Sequence, residues 1–420
     1  MARRFVETRI AERSLYNRRM RVLLLNLYVA PDTSATAKMA QTVVDALSEQ
    51  HDVTVLCGRP SYDPTERRPW RLWQTEQLGR VRVIRVGSTD YPRYQMKRRV
   101  LNYLSYVALA IPRALLVPCD VVLAMTDPPF EGIVGAFVAL LKGQPYIYNI
   151  RDLYPDMALG GAIVAPGLLS RIWERLHRWA LRRATRVIVL GDDMRARIIG
   201  KGIEASRVAV VRDGANIPPP SARPPQLDRE VIRAIRGDFQ FVLLHAGNLG
   251  FYGDWETLVS SARQLADDGI SLVFVGDGAQ RARLEAQAAD ARNIRFLDFF
   301  PESKIPSVLA APDVHVISIK KGLEGVVVPS KLYGILGAGK PIVALATAAT
   351  DAVSLGARQG FSCGIAPGDV TGLVALVRRL SGDPSEVAKM SLAARNAAPD
   401  YDRVVELKKF VHIVEEAVRA

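Results

Sequence analysis

Two hydrophobic patterns alternate along the chain. Short, unbroken aliphatic runs recur at Met20–Tyr28 (MRVLLLNLY), Val53–Leu56, Arg80–Val86, Asp120–Met125, Tyr146–Ile150, Arg186–Leu190 and Val208–Val211. Runs apolar on both faces suit parallel strands covered by helices on either side. Between them, apolar residues fall at helical spacing: from the small polar loop 29–36 through Leu47, over Gly132–Leu141, and over a basic stretch at 168–184. This succession predicts a doubly wound α/β sheet. Residues 217–226 (IPPPSARPPQ) hold five prolines in ten positions and read as a stiff linker. The pattern then restarts, with strands at Phe241–His245, Ser271–Val275, Ile294–Phe296 and Val314–Ile317 and helices at 254–267, 279–291 and 302–310. At the end, apolar positions Val404, Val405, Leu407, Val411 and Val414 predict an amphipathic helix. The division expected is a basic extension at 1–19, a first domain at 20–217, a linker at 218–226, a second domain at 227–400, and a closing helix at 401–420 that returns to the first domain.

Ligands of such sheets bind at the carboxyl ends of the strands, and the chemistry-bearing residues collect there. The first strand ends in VAPDTSAT, which is not G-x-G-x-x-G, so nothing supports a dinucleotide fingerprint. Later strands end in TDPP (126–129), RDLYPD (151–156), AGNLG (246–250) and VGDG (275–278). Arg151 and Asp152 admit two readings, a site pair or a tie that holds a loop. His245, inside an apolar strand, and His177, in the basic helix, both read as packed. The stretch 322–343, GLEGVVVPSKLYGILGAGKPIV, holds an acid, a turn, a helix and a strand. Pro329 and Ser330 predict a helix start with Ser330 as its cap. Free N–H groups, a serine hydroxyl and Lys331 there make a seat for phosphate, and Glu324 is placed to accept from sugar hydroxyls. The competing reading is a capped surface helix with a solvated lysine.

Charge adds a direction. Through residue 218 there are 33 Lys and Arg against 20 Asp and Glu; beyond it the count is 23 against 23. The whole excess lies in the first half, which should face an anionic surface or substrate. Residues 93–117 start with RYQMKRR (Lys97, Arg98, Arg99) and continue into the most apolar run of the chain, Tyr103–Val117. An interfacial membrane contact and a core helix with a basic start both fit. That run is too short to span a bilayer, and the basic stretch 1–19 lacks the apolar core of a signal peptide. Cys57, Cys119 and Cys363 match no metal-ligand spacing and suit a reducing compartment. The basic residues form no nucleic-acid recognition motif.

Taken in order and spacing, VLLLNLYVAPDTSATA, TDPP, RDLYPD, VRDGANI, AGNLG, VGDG and VPSKLYGILGAGKP resemble the family-4 retaining glycosyltransferases of GT-B architecture, in the bacterial subgroup that builds lipid-linked surface polysaccharides. The resemblance runs from about Met20 to the C-terminus. It implies two Rossmann-like domains facing across a cleft, the second taking a nucleotide-sugar donor and the first a saccharide acceptor, with a polyprenyl-diphosphate carrier expected. Lys331 would neutralise the donor diphosphate. Asn248, Gly250 and Ser330 would lie by the phosphates, and Gly276, Asp277 and Gly278 by the nucleotide. Glu324 and Asp152 complete the catalytic set, and Lys97, Arg98, Arg99 and Arg151 face the acceptor and membrane. No metal and no other cofactor is expected, and the location implied is the inner face of the cytoplasmic membrane. Two positions depart from the family: Gly334 stands where a ribose-binding glutamate is usual, and Phe251 and Tyr252 follow the GNLG motif where a basic residue is common. Two other functions stay open on the sequence: a nucleotide-sugar 2-epimerase of the same fold, and a non-catalytic homologue with a degenerate donor site.

Overall fold

The computed structural model describes residues 19–32, 34–60, 70–91, 96–161, 163–218 and 225–419. The extension 1–18 and linker residues 219–224 lie outside the described residues.

Eight strands form the first sheet: β1 (Arg21–Leu25), β2 (Asp52–Cys57), β3 (Trp73–Leu78), β4 (Val81–Val86), β5 (Val121–Ala124), β6 (Tyr146–Ile150), β7 (Arg186–Val189) and β8 (Val208–Val210). Their order is β3-β4-β2-β1-β5-β6-β7-β8, and all neighbours are parallel except β3 and β4. The second sheet has six parallel strands: β9 (Phe241–Ala246), β10 (Ile270–Val275), β11 (Ile294–Leu297), β12 (Val314–Ser318), β13 (Ile342–Leu345) and β14 (Ser362–Ile365), ordered β11-β10-β9-β12-β13-β14. The aliphatic runs of the sequence are these parallel strands. β3 escapes that pattern. Its sequence, WQTEQL, is mostly exposed, because an antiparallel edge strand needs no second apolar face. It turns into β4 through Gly79, whose φ of 57° is left-handed.

Strand order reverses between β1 and β5 in one sheet and between β9 and β12 in the other. Such switch points open crevices at the strands' carboxyl ends, and here the two crevices face each other. Apolar contact continues from one unit to the other, since Leu153 and Met194 belong to the same buried cluster as Leu323 and Val326. Hydrogen bonds cross as well: Leu153 N–H donates to Val326 C=O at 3.2 Å, and Arg197 Nη1 donates to Glu324 C=O at 2.9 Å.

After the second sheet the chain crosses back. Ala215 N–H donates to Tyr401 C=O and Arg403 N–H to Ala215 C=O. The helix Arg403–Arg419 then buries Phe410, Val411, Val414 and Ala417 beside Val22, Val53 and Ile188 of the first sheet. Glu406, buried on this helix, accepts from the Arg212 amide at 2.9 Å.

Candidate active site in the cleft between the sheets

A cavity of about 890 Å³ lies between the two crevices. From the second domain it is walled by Gly247 and Asn248 after β9, by Ser318 and Ile319 at the end of β12, and by Ser330, Lys331 and Gly334. The first domain supplies Thr36 and Lys38, Arg151 and Asp152 after β6, and Asp213 to Ala215 after β8.

Lys331 opens the helix Lys331–Gly337. Its Nζ lies 3.0 Å from Nε2 and 3.5 Å from Nδ1 of His245. A Cβ on Gly247 would come within 3.1 Å of the same Nζ, so the glycine is what lets the amine rest on that turn. Burial pulls the Lys331 ammonium down to about 7. Ser330 does not behave as the sequence predicts. Its backbone is already helical (φ −56°, ψ −23°) and its hydroxyl makes no capping bond, while Pro329 precedes the helix, its C=O accepting from Leu332. Ser330 stays exposed at the cavity wall.

Arg151 lines the cavity and is tied down at the same time. Its Nη2 donates to both oxygens of Asp213, at 2.6 and 2.7 Å, so it ties the loop after β6 to the loop after β8. Asp152 is left lining the cavity and makes no hydrogen bond to a described residue. Burial pushes its carboxyl above the usual value, Arg151 pulls it back, and Asp213 adds to the push.

Several assigned residues are not in the wall. Glu324 is turned away: its carboxylate accepts from the Gly322 amide at 2.9 and 3.0 Å. Burial pushes Glu324 up, but the Gly322 amide and the Thr347 hydroxyl outweigh that and hold it low. The tight turn at Gly322 and Gly325 directs it back on its own loop, off the cavity wall. Gly276, Asp277, Gly278 and Gly250 also lie behind the cavity. A Cβ at Gly276 would strike Gly247 C=O at 2.1 Å, and one at Gly278 would meet Leu249 at 2.6 Å. Gly276 and Gly278 let the loops after β9 and β10 pack on each other, next to Gly247 and Asn248 of the cavity wall. Arg98 and Arg99 belong to the helix Met96–Leu115, away from the cavity, where Arg99 donates to the Tyr103 hydroxyl. The side chain of Lys97 lies outside the described residues.

Two further residues belong to the site without being evident in the sequence. His245 reads as core and is fully buried, yet Lys331 rests against it. The available signal is its position, the lone ionisable residue of FVLLHA, next to the end of a strand at the switch point. Arg403 lines the cavity from the closing helix, donating to Asp213 C=O at 3.1 Å and Gly214 C=O at 3.2 Å. No local signal marks it, because the crossing at Ala215 and Asp402 brings it there. A Cβ at Gly334 would meet only Leu309 Cδ1, at 3.6 Å, which leaves room where the family's carboxylate would stand.

Two largely parallel-sheet, Rossmann-like domains facing across a cleft are the architecture of the GT-B glycosyltransferases. Residues 34–214 match the model of the glycosyl transferase 4-like domain, and residues 229–397 match that of glycosyl transferases group 1. The chain belongs to the family-4 glycosyltransferases with the GT-B fold. It is 25% identical over 384 residues to the colanic acid biosynthesis glycosyl transferase WcaI of Escherichia coli, covering 86% of this chain and 92% of WcaI. It is 28% identical over 338 residues to the 2-deoxystreptamine glucosyltransferase of Streptomyces kanamyceticus, covering 76% and 84%. Among solved structures, Anabaena Alr3699/HepE in complex with UDP-glucose matches with a TM-score of 0.68 at 17% identity, over 95% of this chain and all of that one.

Proposed function

We propose that this glycosyltransferase moves a sugar, with retention of configuration, from a nucleotide-sugar to a polyprenyl-diphosphate-linked saccharide during bacterial surface polysaccharide synthesis. The observation that carries the donor side is Lys331 Nζ on the floor of the cleft, over Gly247. As the sugar leaves, negative charge grows on the diphosphate while the ring becomes oxocarbenium-like. A preorganised cation in a water-poor cleft stabilises that change, and losing one such donor costs ~3 kcal/mol. Asn248 and Ser330 stand beside the same position. Attack comes from the face the diphosphate leaves, so the leaving phosphate helps take the acceptor's proton and no enzyme nucleophile is used, while Lys331 rather than a metal neutralises the leaving diphosphate. Asp152, unbonded and with a raised carboxyl, orients the acceptor hydroxyl from the opposite wall.

The acceptor side rests on the first domain's outer face. The helices Met96–Leu115, Glu131–Lys142 and Leu168–Arg183 pack side by side. The face they form exposes Leu104, Leu116, Leu141, Ile172 and Leu176, with Leu168 71% and Leu169 81% accessible. Arg171, Arg175 and Arg178 flank the last stripe and are exposed too. Leucines at helical spacing beside arginines fit an anionic bilayer surface. This moves the centre of the membrane contact from Arg98 and Arg99 to the helix Leu168–Arg183. No described helix is long and apolar enough to cross a membrane. The relative WcaI acts in colanic acid biosynthesis by its name, which supports a lipid-linked acceptor, whereas the name of the 2-deoxystreptamine enzyme points to a small acceptor.

The test is transfer itself. Nucleotide-sugars are incubated without added metal, with polyprenyl-diphosphate saccharide in vesicles or with soluble amino-sugar acceptors, and the new linkage is read by NMR. An α-linked product from an α-linked donor on the lipid acceptor is the expected result. Product on soluble acceptors alone, or inverted product, overturns the reading. Epimerised donor in the absence of acceptor would instead make the protein a 2-epimerase.

A further inference from the structure

We propose that His245 is a positioning residue of the donor pocket: a neutral imidazole whose face carries the Lys331 ammonium and holds it over Gly247. The proposal deepens the donor reading above and rests on Lys331 being the diphosphate cation.

The geometry is specific. The Lys331 amine is almost equally distant from the two ring nitrogens, at 3.0 and 3.5 Å. That places it over the face of the ring, outside the plane in which a lone pair points. One in-plane nitrogen is already engaged. Nδ1 lies 3.3 Å from Val316 C=O, and Trp255 packs nearly perpendicular to the ring with centroids 4.6 Å apart. A neutral ring offers a cation an electron-rich face, whereas an imidazolium there would repel it. The pair can therefore hold one positive charge, and the enclosed member must stay neutral for the lysine to stay charged.

The surroundings agree. His245 is fully buried. Burial first, then the Lys331 charge, push its pKa well below the ordinary histidine value. The titratable and charged groups around the pair include His315 on β12, lowered by burial to about 4, and Tyr252, whose hydroxyl donates to Asn248 C=O, while Asp152, Arg403 and the Arg151–Asp213 ion pair stand across the cleft. His315 adds no charge near neutral pH, and Tyr252, raised to about 12, stays protonated. The charge facing the donor position from this wall is thus the lysine's. Without a ring under it, a flexible four-carbon side chain would sample the cavity and its charge would be spread over many positions.

Two measurements test this. The chain has five histidines, so ring ¹⁵N spectra resolve the tautomers with no ligand present. His245 should remain a neutral Nδ1–H tautomer from about pH 5 to about pH 9, with its shifts inflecting near 7 as Lys331 titrates. In Lys331→Met the inflection should vanish. A protonated His245 near pH 6, or an inflection that persists in Lys331→Met, overturns the proposal whether or not any donor binds. The second measurement uses UDP-glucose as probe. His245→Ala should weaken binding at neutral pH about tenfold, the size of a desolvated cation–ring contact, and His245→Phe, which keeps a ring face, should restore most of it. Equal affinity in wild type and a folded His245→Ala overturns the positioning role. Should His245→Ala not fold, the comparison of His245→Phe with His245→Leu serves the same purpose. Absence of UDP-glucose binding by wild type would count against the donor reading, and the ¹⁵N arm would still decide the pair.

Discussion

At the scale of single residues, donor binding turns on a lysine whose charge is conditional. Lys331 stands at about 7 because burial strips its hydration. A bound diphosphate favours the charged form, so the bound value lies above the free one and binding takes up a proton. Affinity is then full below the free value and is lost as pH rises through the bound value. Calorimetry with a nucleotide-sugar, whose diphosphate does not titrate in this range, should show a plateau below about pH 7 and a fall of about tenfold per unit above it. Constant affinity up to pH 9 would exclude Lys331 as the contact. Gly334 supplies a second prediction. The wall there is open to Leu309 at 3.6 Å, so Gly334→Glu should fit and restore a carboxylate to the ribose. Donor affinity should rise about tenfold, in line with a hydrogen bond to a charged group; unchanged affinity would mean that the ribose lies elsewhere. The cavity-lining positions of Lys331, Asn248 and Ser330 are legible from their motifs. Glu324 is not, because sequence proximity cannot show that a turn directs a side chain back on its own loop. His245 is not either, because an apolar strand hides what a side chain rests against.

At the scale of elements, the parallel strands are legible almost to the residue, since burial on both faces leaves an aliphatic run. Tyr146–Ile150 is recovered with its bounds. β3 and β14 are not, being edge strands with polar or small residues. The helix Leu168–Arg183 is legible as a basic helix, but its exposed leucine stripe is not, because the same spacing serves a core. Only Ser170, His177, Ala180 and Leu181 on it are buried. Replacing Leu168, Leu169 and Ile172 with serine should weaken binding to anionic vesicles without lowering thermal stability, since nothing packed is lost. Neutralising Arg171 and Arg175 should make the residual binding insensitive to salt. Flotation assays check both, and vesicle binding equal to wild type in the leucine variant would remove this face as the membrane contact.

At the scale of the whole molecule, the two domains meet through a pair of helix starts. Asp351 accepts from the amides of Asp192 and Asp193 at 3.1 and 3.3 Å, and Asp193 accepts from the Asp351 amide at 3.3 Å. Arg212 stands 3.5 Å from Asp351. Burial, then the Asp351 charge, raise Asp193 to about 6. This folded value lies above the ordinary carboxylate one, so the junction is most stable at low pH and loses stability as pH rises through about 6. Asp193→Asn should flatten that part of the melting-temperature profile; an unaltered profile would place the titration elsewhere. Nothing in the sequence pairs residues 193 and 351, because the contact depends on how two separately legible domains dock. The same docking brings Arg403 and Asp152 opposite Lys331. Residue, element and docking serve one proposed act, the holding of a nucleotide-sugar on Lys331. Its most direct test is a thermal-shift panel of UDP-, GDP-, ADP- and dTDP-linked sugars without added metal, on wild type and Lys331→Ala. Stabilisation of the wild type by sugars of one base, absent in a folded Lys331→Ala, is the predicted result. No shift with any of them, or an equal shift in both proteins, would contradict it.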